Sequence, residues 1–207
     1  MRNSAFGPSS RSRGGARIAL GDLNGDGIAD LAIGAGFGGG PRVQLIRGEK
    51  AINGFPAQPT AADKFLNDVF IFDSALRDGS FLAIGDVNGD GLNELIASPG
   101  DGGPLQVKVL NAKELIADGN VDNTLARFTP SGLGGDGSGA RVGVAATGNG
   151  SQVNVVVGTG KRTNGVAKVY PGTSFTGTLG SSLNTEPTGG SVLFNSGNAL
   201  ADGVYVG

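Results

Sequence analysis

The sequence predicts an all-β chain made of a repeated unit. Three observations predict it: a motif recurs at fixed spacing, short apolar runs alternate with Gly-rich turns, and helix signals are weak. Residues 16–34 read ARIALGDLNGDGIADLAIG, residues 81–97 read FLAIGDVNGDGLNELIA, and residues 140–158 read ARVGVAATGNGSQVNVVVG. The first two copies are offset by 64 residues, Asp22 to Asp86. The third lies 124 residues from the first without a gap, since Arg17 maps to Arg141 and Gly34 to Gly158. A fourth, fainter copy is expected over 191–207, with a loop again set between two short apolar runs.

Each copy has the same predicted elements in the same order. A short strand leads into a polar loop of Gly, Asn and Asp. A second strand follows (31–33, 95–97, 153–157), then a Gly-rich turn, then a third strand (42–46, 106–110, 167–170). Three or four antiparallel strands in a unit of roughly 60 residues fit a propeller blade. The expected fold is therefore a β-propeller-like array of three to four antiparallel blades. Its units lie near 16–79, 80–139 and 140–190, with a partial unit at 191–207 and a basic N-terminal arm at 1–15. Residues 112–118 and 61–66 carry enough helix formers for a turn or two. The connectors 48–66 and 111–127 read as surface loops.

Composition removes several function classes. The chain has 207 residues, 40 of them Gly, and a net charge of −2, so it lacks the basic excess of a general nucleic-acid binder. It has no Cys and no His. Disulfides, thiolate nucleophiles, Ser-His-Asp triads and His-based zinc sites are all excluded. No apolar run is long enough for a membrane-spanning helix, so no membrane insertion is expected. Residues 1–17 hold four Arg and no acid, unlike an export signal. Either such a signal has been removed or the chain is a piece of something longer.

The chemistry is concentrated in two loops, Asp22-Leu-Asn24-Gly-Asp26-Gly-Ile28-Ala-Asp30 and Asp86-Val-Asn88-Gly-Asp90-Gly-Leu92-Asn-Glu94. Oxygen side chains stand at positions 1, 3, 5 and 9. Calcium takes six to eight hard oxygen ligands, and alternating short acids on a tight loop can supply them. Gly27 and Gly91 at position 6 allow the sharp turn. Position 7 (Ile28, Leu92) is placed to offer its carbonyl while its side chain enters the core. An acidic Asx-turn would explain one such loop. Two at equivalent repeat positions argue for metal, hence two calcium sites. The third loop has Ala146, Gly148, Gly150 and Asn154 at the matching positions, and the fourth has Asn195 and Gly197, so no calcium is expected at either. An EF-hand or dockerin needs Glu at position 12 and a helix leaving the loop. Position 12 is Ile33 or Ala97, and Gly and Pro follow.

With these residues in hand, the chain resembles the FG-GAP/VCBS repeat family, the calcium-loop repeats of integrin α-subunit propellers and of many secreted bacterial proteins. The resemblance rests on GDLNGDGIADLAIGAG (21–36) followed by FGGGP, and on GDVNGDGLNELIASPG (85–100) followed by Gly102-Gly103-Pro104. It implies metal ligands at Asp22, Asn24, Asp26, Ile28 (carbonyl) and Asp30, and at Asp86, Asn88, Asp90, Leu92 (carbonyl) and Glu94. Glu94 departs from the Asp usual there. Family propellers typically have seven blades, so three and a fraction leave four options open. The chain is a fragment, or a small four-bladed ring, or half of a two-chain ring, or an open array capped by neighbours.

Weaker signals add little. Gly34 to Gly39 matches GxGxxG, but a strand follows where a nucleotide site needs a helix. The basic arm (Arg2, Arg11, Arg13, with Arg17) reads as a solvated terminus or closing strand. Phe65, Phe70, Phe72, Phe81 and Phe128 read as packing between blades. The function expected is a non-enzymatic, calcium-binding module of an extracellular or cell-surface protein, contacting a protein or glycan partner. A structural subunit of a surface polymer or assembly, self-associating through open blade edges, is the first alternative. A polysaccharide lyase or hydrolase is the second, with Asp68, Asp73 and Asp136 among its unplaced carboxylates.

Overall fold

The computed structural model describes residues 14–50, 54, 59–135, 137–148, 152–175 and 184–206. The chain is all-β, with three four-stranded antiparallel sheets, little helix and no closed barrel among the described residues. The first sheet is β1 (Gly14–Gly21), β2 (Asp30–Phe37), β3 (Arg42–Ile46) and β4 (Lys64–Phe70), in that order. The second is β5 (Ser80–Gly85), β6 (Glu94–Pro99), β7 (Val107–Asn111) and β8 (Thr124–Phe128). The third is β9 (Ala140–Ala146), β10 (Val153–Thr159), β11 (Thr163–Tyr170) and β12 (Ser191–Leu200). Within each sheet every strand pairs with its sequence neighbour; short turns or loops join the first three, and the longer stretches 47–63, 112–123 and 171–190 lead to the fourth.

Three differences from the sequence-based expectation concern the outer strands. β12, expected to open a partial fourth unit, pairs with β11 and completes the third sheet. The stretch 48–66 is not wholly loop. It holds 3-10 turns at Gly48–Lys50 and Ala61–Asp63, and β4 starts at Lys64. The stretch 111–127 likewise holds α1 (Ala112–Asp118) and most of β8. The Asn111 side chain caps α1 by accepting from the Glu114 amide, and Gly119 ends it in the left-handed conformation. β4 and β12 are largely exposed or half-buried, so they lack the continuous apolar run that marks the buried inner strands, and Pro- and Asn-rich flanks hid them.

The core lies between sheets. Leu23, Val43, Leu45, Ile84, Leu95 and Leu110 form one cluster between the first and second sheets. Val107, Leu125, Phe128, Val155, Val157 and Tyr170 belong to the other, between the second and third. The middle sheet is buried on both faces, and every residue of β6 and β7 is buried. Its strands therefore read as continuous apolar runs rather than alternating ones. The first strands of successive sheets touch, β1 against β5 and β5 against β9. Of the aromatics expected in the core, Phe72 and Phe128 are buried and Phe65 and Phe81 pack against it, whereas Phe70 is largely exposed.

Candidate metal centre

Each acidic loop joins the first and second strands of its sheet, so both sit at the same end of their units. In the first loop the Asp22 carboxylate turns inward and collects the loop's own amides. Oδ1 accepts from Gly25 at 2.7 Å and Asp26 at 3.2 Å, and Oδ2 from Gly27 at 2.7 Å. Asp26 accepts from the Ile28 amide and the Asn24 side chain, at 2.8 and 2.9 Å. The second loop repeats the main bonds. Asp86 accepts from Gly89 and Gly91, and Asp90 from Leu92 and from the Asn88 side chain. The turn needs two left-handed glycines per loop, Gly25 and Gly27, then Gly89 and Gly91. The repeat pattern marks only the second of each pair, Gly27 and Gly91, as the turn glycine.

Position 9 has a structural role that spacing alone did not reveal. The buried Asp30 accepts from the Leu23 amide at 2.9 Å and from Gly48, beyond β3, at 2.7 Å. Glu94, also fully buried, reaches the Val87 amide at 2.9 Å through Oε2, while Oε1 has no hydrogen-bond partner. In the third unit Asn154 accepts from Gly172 at 3.1 Å, the counterpart of the Asp30–Gly48 bond. The side chain that enters the core is at position 2 (Leu23, Val87), whereas Ile28 and Leu92 at position 7 are half-buried.

The electrostatics follow from this burial. Desolvation raises the Asp30 carboxyl above its ordinary range against the amides of Gly48 and Leu23, and the charges of Asp26 and Asp22 add to the rise. Glu94 is pushed up to about 8, chiefly by burial, with Asp90 and Asp86 adding to it. Asp26, at the loop surface, is held low by its bonds to Asn24 and Ile28. Among the described residues no three acidic side chains gather closely enough to hold a metal ion as they stand. Asp22, Asp26 and Asp30 nonetheless share one nine-residue loop, as do Asp86, Asp90 and Glu94. Each carboxylate oxygen that accepts one amide keeps a lone pair for a cation.

Successive loops are tied together. The Asn93 side chain donates to the Asp22 carbonyl at 2.6 Å, and its counterpart, the Val153 amide, donates to the Asp86 carbonyl at 2.8 Å. Leu92 lies over Gly25, and its counterpart Gln152 lies over Gly89 and donates to the Val87 carbonyl at 3.1 Å. No sequence pattern marks this device, because Asn93 acts through its side chain and Val153 through its backbone.

The remaining candidates find structural places. The third loop keeps Ala146 and Gly148 without a carboxylate, and Gly150 lies outside the described residues. Asn195 and Gly197 lie within β12, so no fourth loop exists there. Asp68 pairs with Arg42 at 3.0 Å and accepts from Gln44. Asp73 accepts from the Ala75 amide at 2.8 Å. Asp136 and the arm at 1–13 lie outside the described residues. Gly34 to Phe37 finish β2, and a turn into β3 follows with no helix.

Residues 14–45 match the family model of the FG-GAP repeat. The matched stretch runs from β1 through the first acidic loop and β2 into β3. No curated protein matches the chain significantly.

Proposed function

We infer, for a chain whose first unit matches the FG-GAP repeat, that it is a calcium-stabilised, propeller-type interaction module, non-enzymatic and working outside the cell or at its surface. The observation that carries this is the duplication of one loop geometry. Two loops 64 residues apart fold their carboxylates in the same way. Calcium would be held by Asp22, Asn24, Asp26, the Ile28 carbonyl and Asp30, and by Asp86, Asn88, Asp90, the Leu92 carbonyl and Glu94. The partnerless, buried Oε1 of Glu94 beside two further acids fits a cation. A hard cation would offset the repulsion among three carboxylates per loop.

Calcium here supplies stability rather than chemistry. Ligand bound only to the folded state adds about 1.4 kcal/mol per site at ten times its Kd. Affinity near that of extracellular modules, roughly 10⁻⁴–10⁻³ M, suits a place where calcium is plentiful. No helix is long and apolar enough to cross a membrane among the described residues. The partner would be a protein or a glycan.

The test is calcium stoichiometry by equilibrium dialysis. The chain should take up two ions, Asp26→Ala and Asp90→Ala one each, and Asn154→Ala two. Equal uptake by all four proteins would sink the site assignment. An assembly subunit is the second reading, and the exposure of Ile18 and Leu20 on β1 favours it.

A further inference from the structure

The units of this chain pack on one another by a fixed rule. On β5, Leu82 lies against Gly34 and Ile84 against Gly21 of the preceding unit. On β9, Val144 lies against Gly85 in the same way. Leu82 and Ile84 are accordingly 9% and 8% exposed, yet their counterparts on β1, Ile18 and Leu20, are each 62% exposed. The far end shows the converse. Phe128 of the second unit packs on Tyr170 of the third, with ring centroids 5.2 Å apart, and on Phe175 at 6.3 Å. Register identifies Phe194 as its counterpart, since Val107 pairs with Phe128 and the equivalent Ala167 pairs with Phe194. Phe194 is 47% exposed, and Val192 and Leu193 beside it are exposed too.

Residues 203–206 explain how these two faces are related. Gly15, Gly79, Gly139 and Gly203 all have positive φ and are spaced 64, 60 and 64 residues apart. Gly79 lies on the Gly36 carbonyl, Gly139 on that of Gly100, and Gly203 on that of Gly160. Val204 and Val206 meet Gly158 as Ser80 and Leu82 meet Gly34. The Val204 amide donates to the Thr159 carbonyl at 2.9 Å. Tyr205 continues a stack of side chains from equivalent positions. The Arg17 guanidinium lies 3.7 Å from the Phe81 ring centre, and Arg141 lies between Phe81 at 5.2 Å and Tyr205 at 4.4 Å. The stretch 203–206 thus holds the seat of a fourth inner strand, and the strands that follow such a strand in the other units have no counterpart among the described residues.

We propose that the exposed faces of β1 and β12 are the two walls of a docking surface for one further unit of this same repeat. That occupant presents glycine against Ile18 and Leu20, as Gly34 and Gly21 do to the second unit. It presents aromatic side chains to Phe194, as Tyr170 and Phe175 do to Phe128. The surface rests on the packing between units and not on calcium, so its failure leaves the calcium test untouched.

The test extends the full chain after Gly207 with a second copy of its own residues 84–138, which continues 203–207 in register. Ile18→Asp is then placed in both the extended and the original chain. In the original chain Ile18 is exposed, so the thermal midpoint should move by about 1 °C or less. In the extended chain Ile18 should be buried, and the midpoint should drop by roughly 5 °C or more. Amide exchange in β1 should slow at least about tenfold on extension. Equal drops in the two chains, or an extension that stays protease-sensitive, overturn the proposal. So does an original chain that is already a dimer and that Ile18→Asp splits, because a second copy is then the occupant.

Discussion

Glu94 is the residue at which the sequence and the physics pull apart. The repeat pattern puts a short acid at position 9, and Asp30 fits there with both oxygens taken by amides. Glutamate is one methylene longer, so it keeps the inner bond to Val87 but leaves Oε1 buried without a hydrogen-bond partner. Its folded-state pKa, about 8, lies above the ordinary 4.5, so the metal-free fold prefers the neutral acid. Stability from this group is therefore fully present below about pH 4.5 and is lost as pH rises through about 8. In chelator, urea unfolding should show stability falling across that window, by an amount on the order of 5 kcal/mol. Glu94→Gln should flatten the fall and be the more stable form at pH 8. An unchanged slope in the variant would mean that other groups set the pH dependence. The turn of the two loops was legible from its alternating acids and glycines, whereas the left-handed Gly25 and Gly89 and the core side chains Leu23 and Val87 were not. The second role of position 9 was not, because its partner Gly48 lies beyond the next strand but one.

At the scale of the strand, the inner elements were readable and the outer ones were not. β2, β6 and β10 are apolar runs bounded by glycine, so their existence followed from sequence alone. β4 and β12 border solvent, and in β4, β8 and β12 alike register shifts break the period that would reveal them. The glycines that end the inner strands also had a meaning that turns do not explain. Gly21 and Gly85 take no positive φ, and they are small because the next unit lies on them. A Cβ on Gly85 would sit 2.7 Å from Val153 Cγ2. The matching residue of the third unit is Ala145, which is exposed. Gly85→Val should therefore destabilise by about 1–3 kcal/mol through overpacking. Ala145→Val, at the same position of the repeat, should be close to neutral. Chemical unfolding of the two variants checks this, and equal losses would show that the glycine serves the strand rather than the contact between units.

At the scale of the molecule, the three units share a fold but not a chemistry. The first two carry six carboxylates in their loops and the third carries none. The units are nevertheless joined loop to loop, through Asn93 to the Asp22 carbonyl and through Val153 to the Asp86 carbonyl. The third loop thus holds the second in place without charge of its own. Repeat proteins of this kind gain stability from each unit and from each contact between neighbours, so metal loss need not spread evenly. On the calcium-binding function proposed above, removing the ion should loosen first the residues whose carboxylates then repel, and these are the two acidic loops. Hydrogen exchange in chelator should rise at least about tenfold at 24–28 and 88–92. β10 and β11 should keep their protection, since valines at β10, the aromatic stack on Phe128 and the Lys168–Glu186 pair hold the third unit without metal. If protection fell equally in all three sheets, the contacts between loops would be strong enough to make the array one cooperative unit. Calcium in the first two loops would then be felt by the third.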